Sequence, residues 1–173
     1  MRVLSFVVLT FVLAGCATAP AGNGSSGAAS SNTATPTQTQ SFVAALEAKR
    51  GSALTLAERL QVQGLTGTAK VGLNNAQNNF LNKVGAQVGL NGAVISAMFP
   101  EAGKPLSENA AVAKIESSLG KKLTVADQTA VKAATALRNN SLGNLRQGLA
   151  ASIGSRTGMS TDVVLALMPM LGL

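Results

Sequence analysis

Histidine is absent from this chain of 173 residues, and Cys16 is its only cysteine. These absences exclude Cys/His zinc sites, intramolecular disulfides and the Ser-His-Asp or Cys-His nucleophiles of many hydrolases. Acid–base chemistry could use only the seven Asp and Glu residues, and no segment gathers the Asp and Asn ligands of a calcium loop. The sequence therefore predicts neither a catalytic centre nor a bound metal or cofactor.

Aromatic residues make up only 3% of the chain and charged residues only 12%, against 46% hydrophobic residues. A core must therefore consist mainly of Leu, Val, Ala and Met. The net charge of +7 would suit an anionic surface such as a phospholipid layer, and a solvated basic face explains it equally well. Nucleic acid is disfavoured, because no basic run exceeds two residues, as at Lys121–Lys122, and base stacking would lack Trp and Tyr.

The N-terminus has the pattern of a secretory signal peptide, in which a positive charge precedes a short apolar stretch and small residues. Arg2 supplies the charge, and residues 3–15 are mostly apolar. This stretch is too short for a membrane-spanning helix, which needs about 20 residues. It leads into Leu13-Ala14-Gly15-Cys16, a motif that resembles the lipobox of bacterial lipoproteins.

The resemblance implies that the Cys16 thiol receives a diacylglyceryl group. It also implies cleavage between Gly15 and Cys16 and acylation of the new amino group, for example with palmitate. One acyl chain holds a membrane only marginally and two or three hold it durably, since each buried CH₂ contributes about 0.8 kcal/mol. In enterobacterial lipoproteins an Asp after the cysteine marks the inner membrane, so Ala17 favours the outer membrane. The alternative is an ordinary signal peptide with a chance cysteine.

Residues 17–40 contain no charge and no Val, Ile, Leu, Met or aromatic residue. They cannot bury enough apolar surface to order themselves, so we expect a flexible tether with an r.m.s. reach of roughly 25 to 30 Å. The predicted organisation is a signal peptide at 1–15, a lipidated cysteine and disordered tether at 16–40, and a folded domain at 41–173.

The predicted domain contains an internal duplication. A shift of 69 residues lays 43–100 over 112–169 without a gap. The identical pairs include Val43/Val112, Glu47/Glu116, Gly51/Gly120, Leu54/Leu123, Thr55/Thr124, Val62/Val131, Thr66/Thr135, Leu73/Leu142, Gly85/Gly154, Gly89/Gly158 and Pro100/Pro169. Because apolar pairs such as Phe80/Leu149 keep the same register, we interpret these segments as two copies, at about 41–100 and 107–169.

Each copy predicts four short helices, so we expect an all-α fold: a compact bundle of about eight helices with pseudo-twofold character. Glycines, capping residues and prolines mark the helix ends. The first helices, about 41–50 and 107–119, stop at Gly51 and Gly120; the second start at Thr55 and Thr124; the third stop at Gly89 and Gly158; the fourth stop at Pro100 and Pro169. Residues 101–106 are the expected joint. The copies could share one core or form two lobes.

Carboxylates recur at duplicated positions, as Glu47/Glu116 and Glu58/Asp127. A symmetric pair could serve a shared cleft as acid and base. Helix starts favour negative charge, however, and this explains Glu58 and Asp127 without catalysis. The structural interpretation is the stronger one for all four residues.

Two further groups could bind a ligand. Six amides occur within nine residues (Asn74, Asn75, Gln77, Asn78, Asn79 and Asn82), and copy two has Asn139, Asn140, Asn144, Arg146 and Gln147. A polar helix face explains them more simply than a sugar site, which usually adds an aromatic platform. Met98, Phe99, Met168 and Met170 could line a groove for a partner or ligand, although core packing is favoured.

Three functions fit these patterns. The first is a membrane-anchored envelope lipoprotein that presents a helical interaction domain to a protein partner, as an accessory part of an envelope system in contact with the periplasm. The second is a carrier or sensor of an apolar or anionic envelope ligand. The third and least favoured is a cell-wall hydrolase that uses Glu47 and Glu116.

Overall fold

The computed structural model describes residues 37–173. The predicted signal peptide, the cleavage site at Gly15 and Cys16, and the tether up to residue 36 lie outside these residues. Residues 37–173 fold as α-helices, as the sequence predicts, and contain no strand. The elements are α1 Gln38–Arg50, α2 Leu56–Val88, α3 Gly92–Met98, α4 Glu108–Leu119, α5 Val125–Thr157 and α6 Thr161–Leu167, followed by a 3₁₀ turn at Met168–Leu171.

The described residues thus form six α-helices rather than the eight predicted. The second and third helices expected in each copy are one continuous helix of 33 residues, α2 or α5. The buried positions of α2 explain the continuity: Val62, Thr66, Ala69, Leu73, Gln77, Phe80 and Val84 follow one another at helical spacing. A glycine inside a helix costs only about 1 kcal/mol relative to alanine. Burial of a continuous face therefore outweighs the glycines at 64, 67 and 72.

The start of α1 also differs from the prediction, which assigned residues up to 40 to the tether. The helix begins at Gln38 with Thr37 as its N-cap. The Thr37 hydroxyl accepts the Gln40 N–H at 3.3 Å, and the Gln40 amide oxygen accepts the Thr37 N–H at 2.8 Å. This reciprocal capping box pairs two backbone donors, and fully buried Phe42 anchors the turn that follows.

The helix ends agree with the capping residues identified in the sequence. Thr55 and Thr124 cap α2 and α5 through their hydroxyl groups. Helices α1, α2, α4 and α5 end at glycines with positive φ, namely Gly51, Gly89, Gly120 and Gly158. Both ends of α5 and of α6 lie 69 residues after those of α2 and α3. This is the shift at which the sequence matches itself.

The long helices α2 and α5 pack against each other in opposite directions. At the middle of α2, Gly72 faces Leu145, whose side chain occupies the place that a Cβ at position 72 would take. Further along α2 and earlier along α5, Gln87 donates a hydrogen bond to Asp127 at 2.7 Å. The pair forms the centre of the molecule, and the short helices pack on it.

Two hydrophobic clusters lie along this central pair, and each combines both halves of the chain. One joins α1, the first part of α2, the second part of α5, α6 and the C-terminal turn. The other joins the second part of α2, α3, α4 and the first part of α5. Each helical segment in one cluster corresponds to a segment of the other at the shift of 69 residues. Thus α1 corresponds to α4 and α3 to α6, and the same parts of α2 and α5 correspond to each other. Neither half of the described segment 37–173 therefore has a core of its own.

The chain leaves α3 and α6 by different paths, although the prolines at 100 and 169 predicted the same stop. After α3 it enters the segment 99–107, which we call the linker. After α6 it continues through Pro169 in a 3₁₀ turn, in which the Gly172 N–H is bonded to the Pro169 carbonyl oxygen. The turn satisfies its own backbone, whereas the linker depends on side chains of α2 and α5.

Candidate functional site

The linker is held by Arg138, a residue of α5 that is 4% exposed. Its Nη2 donates to the carbonyl oxygens of Glu101 at 2.7 Å and Ala102 at 2.9 Å. Its Nη1 donates to the Lys104 carbonyl oxygen at 2.9 Å. A rigid guanidinium fork can serve several acceptors at once. Arg138 thereby fixes the irregular backbone of the linker.

Three more side chains complete this arrangement, which we call the linker clamp: Gln77, Arg138, Asn139 and Arg146. Gln77 donates to the Phe99 carbonyl oxygen at 2.6 Å and accepts from Arg138 Nε at 2.7 Å. Asn139 bonds both the N–H and the carbonyl oxygen of Leu106. Arg146 donates to the Gly103 carbonyl oxygen at 2.8 Å. The clamp therefore satisfies the linker backbone without a β-strand or helix.

Sequence reasoning missed the clamp. It placed Gln77, Asn139 and Arg146 on polar helix faces, but Gln77 is buried and the other two are half-buried. One signal was available. Position 138 falls at helical spacing with buried Thr135 and Leu142, and a charge at such a position marks a buried polar contact. The neighbouring amides Asn74, Asn75, Asn78, Asn79 and Asn82 are exposed, as a polar face requires.

A pocket of about 190 Å³ lies beside the clamp. Its walls are Met98, Phe99, Pro100, Glu101, Lys104, Pro105, Leu106, Lys114 and Arg138. The Phe99 ring meets the Phe80 ring edge to face at 5.3 Å between centroids. Cations cover the outer faces of these rings, with Lys114 Nζ 5.5 Å from the Phe99 centroid and Arg138 5.6 Å from the Phe80 centroid. Burial lowers the pKa of Arg138 from its ordinary value.

The four residues predicted to line a groove are not brought together. Met98 and Phe99 are buried in the second cluster and line the linker pocket. Met168 is buried in the first cluster, which also contains Leu171 and Leu173. Met170 is 40% exposed and belongs to neither cluster. Only the first two residues could therefore contribute to one site.

Glu47 and Glu116 occupy equivalent places and bond the loop that follows their helix. One oxygen of Glu47 accepts the Leu54 N–H and Arg59 Nε, both at 2.9 Å. The N–H of Leu54 lowers the Glu47 pKa most, and Arg59 adds to this effect. For Glu116, the Lys122 ammonium at 2.7 Å lowers the pKa most, and the backbone N–H of Leu123 has the next largest effect. Each carboxylate therefore bonds partners from its own half of the folded segment.

Glu58 and Asp127 lie at the starts of α2 and α5, as predicted. Glu58 accepts the Thr55 N–H at 2.7 Å, which is the main reason for its lowered pKa. Asp127 accepts from Gln87 at 2.7 Å, and this hydrogen bond contributes most to its lowered pKa. Capping and packing account for the positions of both carboxylates.

The side of α2 that points away from the clusters carries no charge over most of its length. We call it the α2 outer face; its exposed residues are Leu60, Gly64, Gly67, Val71, Asn75, Asn78 and Asn82. They follow one another at intervals of three or four residues, as one helix face requires. Leu60 and Val71 are each 60% exposed. Open space lies above both Gly64 and Gly67.

Within residues 37–173, no group of three or more acidic side chains is placed to hold a metal ion. The helices in this part of the chain are either too short or too polar to cross a bilayer. The linker pocket offers cations and an apolar wall, with Glu101 as its one carboxylate. Such a lining favours binding rather than proton transfer.

No protein family, curated protein or solved structure gives a significant match to this chain.

Proposed function

We propose that this protein is a lipoprotein of the bacterial cell envelope, anchored through Cys16, whose helical domain binds a protein partner. The observation that carries the proposal is the motif Leu13-Ala14-Gly15-Cys16 at the end of an apolar leader. Its thiol is the only one in the chain, so neither a disulfide nor a catalytic pair competes for it. The covalent diacylglyceryl and acyl chains provide the attachment, and Ala17 favours the outer membrane.

The tether and the folded domain suit this role. The uncharged segment that begins at Ala17 runs to the first helix, which starts at Gln38. As the tether that the sequence predicts, these residues would have an r.m.s. reach of roughly 25 Å. We propose that such a tether lets the domain work at a distance from the lipid surface while its anchor stays fixed.

The α2 outer face is the surface we assign to the partner. Interface centres are depleted of charge, and this face is uncharged in a protein of net charge +7. The partner surface should therefore be neutral, because an acidic or basic surface would lose hydration without gaining a counter-charge. The glycines at 64 and 67 leave room for close approach, which suits an uncharged helix of the partner.

The anchor is tested by Cys16→Ser in cells. We expect the helical domain to stay folded, and the protein to be released from the membrane fraction or to remain uncleaved at the inner membrane. Mass spectrometry of the wild-type N-terminal peptide should show the acylated cysteine. A Cys16→Ser protein that is still acylated and bound through the same end would refute the proposal.

The partner surface is tested by cysteine crosslinking, since acylation of Cys16 would leave an introduced thiol unique. Val71→Cys and Leu60→Cys, each labelled on the introduced thiol with benzophenone maleimide and irradiated in intact cells, should give the same defined heavier species, because the excited benzophenone inserts into a C–H bond of the neighbouring partner. Ser118→Cys, at an exposed position of α4, is the matched control and should not. Equal products from all three variants, or a product that contains two copies of the mature chain, would contradict a specific heterologous partner.

A further inference from the structure

The linker pocket has an excess of positive charge that the folded chain does not neutralise. Lys104, Lys114 and Arg138 line it, against one carboxylate, Glu101. The four ion pairs of residues 37–173 include neither Lys114 nor Arg138. Arg138 donates only to neutral carbonyl and amide oxygens, so no carboxylate neutralises its positive charge.

The one ion pair at the pocket is weak. Lys104 Nζ lies 2.8 Å from Glu101, and the two side chains are 72% and 61% exposed. Exposed pairs of this kind typically contribute about 0 to 1 kcal/mol. Lys104 can therefore turn from Glu101 to an anion in the pocket at little cost.

The rest of the lining is apolar and rigid. Pro100 and Pro105 fix the backbone on two sides, and Met98, Phe99 and Leu106 supply hydrocarbon surface. A volume of about 190 Å³ has room for a phosphate group and a few carbon atoms, since one water takes about 30 Å³ in the liquid. An inorganic anion without a hydrocarbon part would leave the apolar walls in contact with water.

We infer that the linker pocket binds a phosphate group carried on a small apolar body, with Lys104 and Lys114 contacting the phosphate and the proline and leucine walls contacting the body. Lysines are common point-charge partners of phosphate. Arg138 adds a fixed positive charge to the wall of the pocket. Its donors are already bonded within the clamp, so it acts as a positioning residue that holds the linker wall in place. The site does not depend on the lipid anchor, so it can be tested separately from the proposed function.

The test is an NMR titration of the mature chain from residue 16 carrying Cys16→Ser, with phenyl phosphate as the probe. We expect saturable shifts at Phe99, Leu106 and Lys114, and binding at least about fivefold weaker for inorganic phosphate and for phenol. Lys104→Gln and Lys114→Gln should each weaken phenyl phosphate binding about five- to tenfold. Lys49→Gln, which removes an exposed lysine outside the pocket lining, is the control for net charge.

The source of the phosphate is distinguished with vesicles of a neutral phospholipid containing phosphatidic acid. Binding that Lys114→Gln weakens and Lys49→Gln spares supports the site with a lipid headgroup as ligand. Saturable phenyl phosphate binding without selective vesicle binding supports it with a free phosphate ester. The inference is overturned if phenyl phosphate does not saturate, if Lys49→Gln weakens it as much as Lys114→Gln, or if inorganic phosphate binds equally well.

Discussion

The two exits from the short helices, the linker after α3 and the turn after α6, occupy equivalent positions but satisfy their backbones differently. Phe99 matches Met168, Pro100 matches Pro169 and Gly103 matches Gly172. The carbonyl oxygens of the linker accept hydrogen bonds from the side chains of Gln77, Arg138 and Arg146, whereas the C-terminal turn forms hydrogen bonds within its own backbone. An equivalent proline and an equivalent glycine therefore do not determine one conformation. The side chains that face each exit determine it.

The largest effect in this comparison is expected when the clamp is removed. Arg138→Met removes the donor of three part-buried hydrogen bonds, those to the carbonyl oxygens of Glu101, Ala102 and Lys104, and a buried acceptor left without a donor costs about 1 to 3 kcal/mol. We expect a total loss of about 3 to 5 kcal/mol in the free energy of unfolding, measured by urea denaturation. The loss for Arg138→Lys should be smaller than that for Arg138→Met but still measurable, because one ammonium cannot reach all the acceptors.

The matched control for this prediction is Arg156→Met, which removes an exposed arginine of the same helix. Its effect should stay within about 0.5 kcal/mol. Equal losses for Arg138→Met and Arg156→Met would show that the clamp does not hold the linker.

The next effect concerns the contact between the two exits. A Cβ on Gly103 would overlap the carbonyl oxygen of Gly172, while a Cβ on Gly172 would meet open space. Gly103→Ala should therefore cost about 2 to 3 kcal/mol through overpacking. Gly172→Ala should cost about 1 kcal/mol, because its φ of 74° disfavours a side chain. Thermal or urea unfolding would measure both.

A truncation separates the two causes. Removing residues 172 and 173 deletes the atoms that the Cβ introduced by Gly103→Ala would overlap, so this substitution should cost less than about 1 kcal/mol in that background. An unchanged cost would mean that the overlap with the C-terminal turn is not the cause.

A smaller effect compares Glu47 with Glu116 through pH. Both pKa values are lowered below the ordinary 4.5, so each carboxylate stabilises the fold above its unfolded pKa. That stability should be lost as pH falls from about 5 through the lowered folded pKa values. In urea midpoints measured from about pH 7 to about pH 3, Glu47→Gln and Glu116→Gln should each flatten the decline.

Salt should distinguish the two carboxylates. The main partner of Glu116 is Lys122, whose side chain is 87% exposed, whereas the main partner of Glu47 is a backbone N–H. Raising the salt concentration screens exposed charges, so it should reduce the contribution of Glu116 more. A larger salt effect on Glu47 would reverse this assignment.

The smallest effect is expected at the first residues of the long helices. Leu56 and Val125 are equivalent, and they are 75% and 81% exposed. Leu56→Ser and Val125→Ser should each change the free energy of unfolding by no more than about 0.5 kcal/mol. A loss above about 1 kcal/mol in either variant would show that the residue is buried against another part of the protein.

Local sequence determined much of the helix pattern. Thr55 and Thr124 marked helix starts and Gly51, Gly89, Gly120 and Gly158 marked helix ends, because capping depends on neighbouring backbone groups. The shift of 69 residues anticipated matching bounds for α2 and α5. Thr37 and Gln40 form a capping box of the same kind, and this local signal was overlooked because the segment lacks apolar residues.

Only the tertiary structure decided how these helices combine. The continuity of α2 depends on a buried face that α5 provides, and no local signal fixes such a partner. The same holds for the clusters, each of which joins α-helices from both halves of residues 37–173. It holds also for Arg138, whose burial is tolerable only because the linker carbonyl oxygens and the Gln77 amide oxygen accept its hydrogen bonds. Helix ends are short-range properties of the chain, whereas burial depends on which distant residues come together.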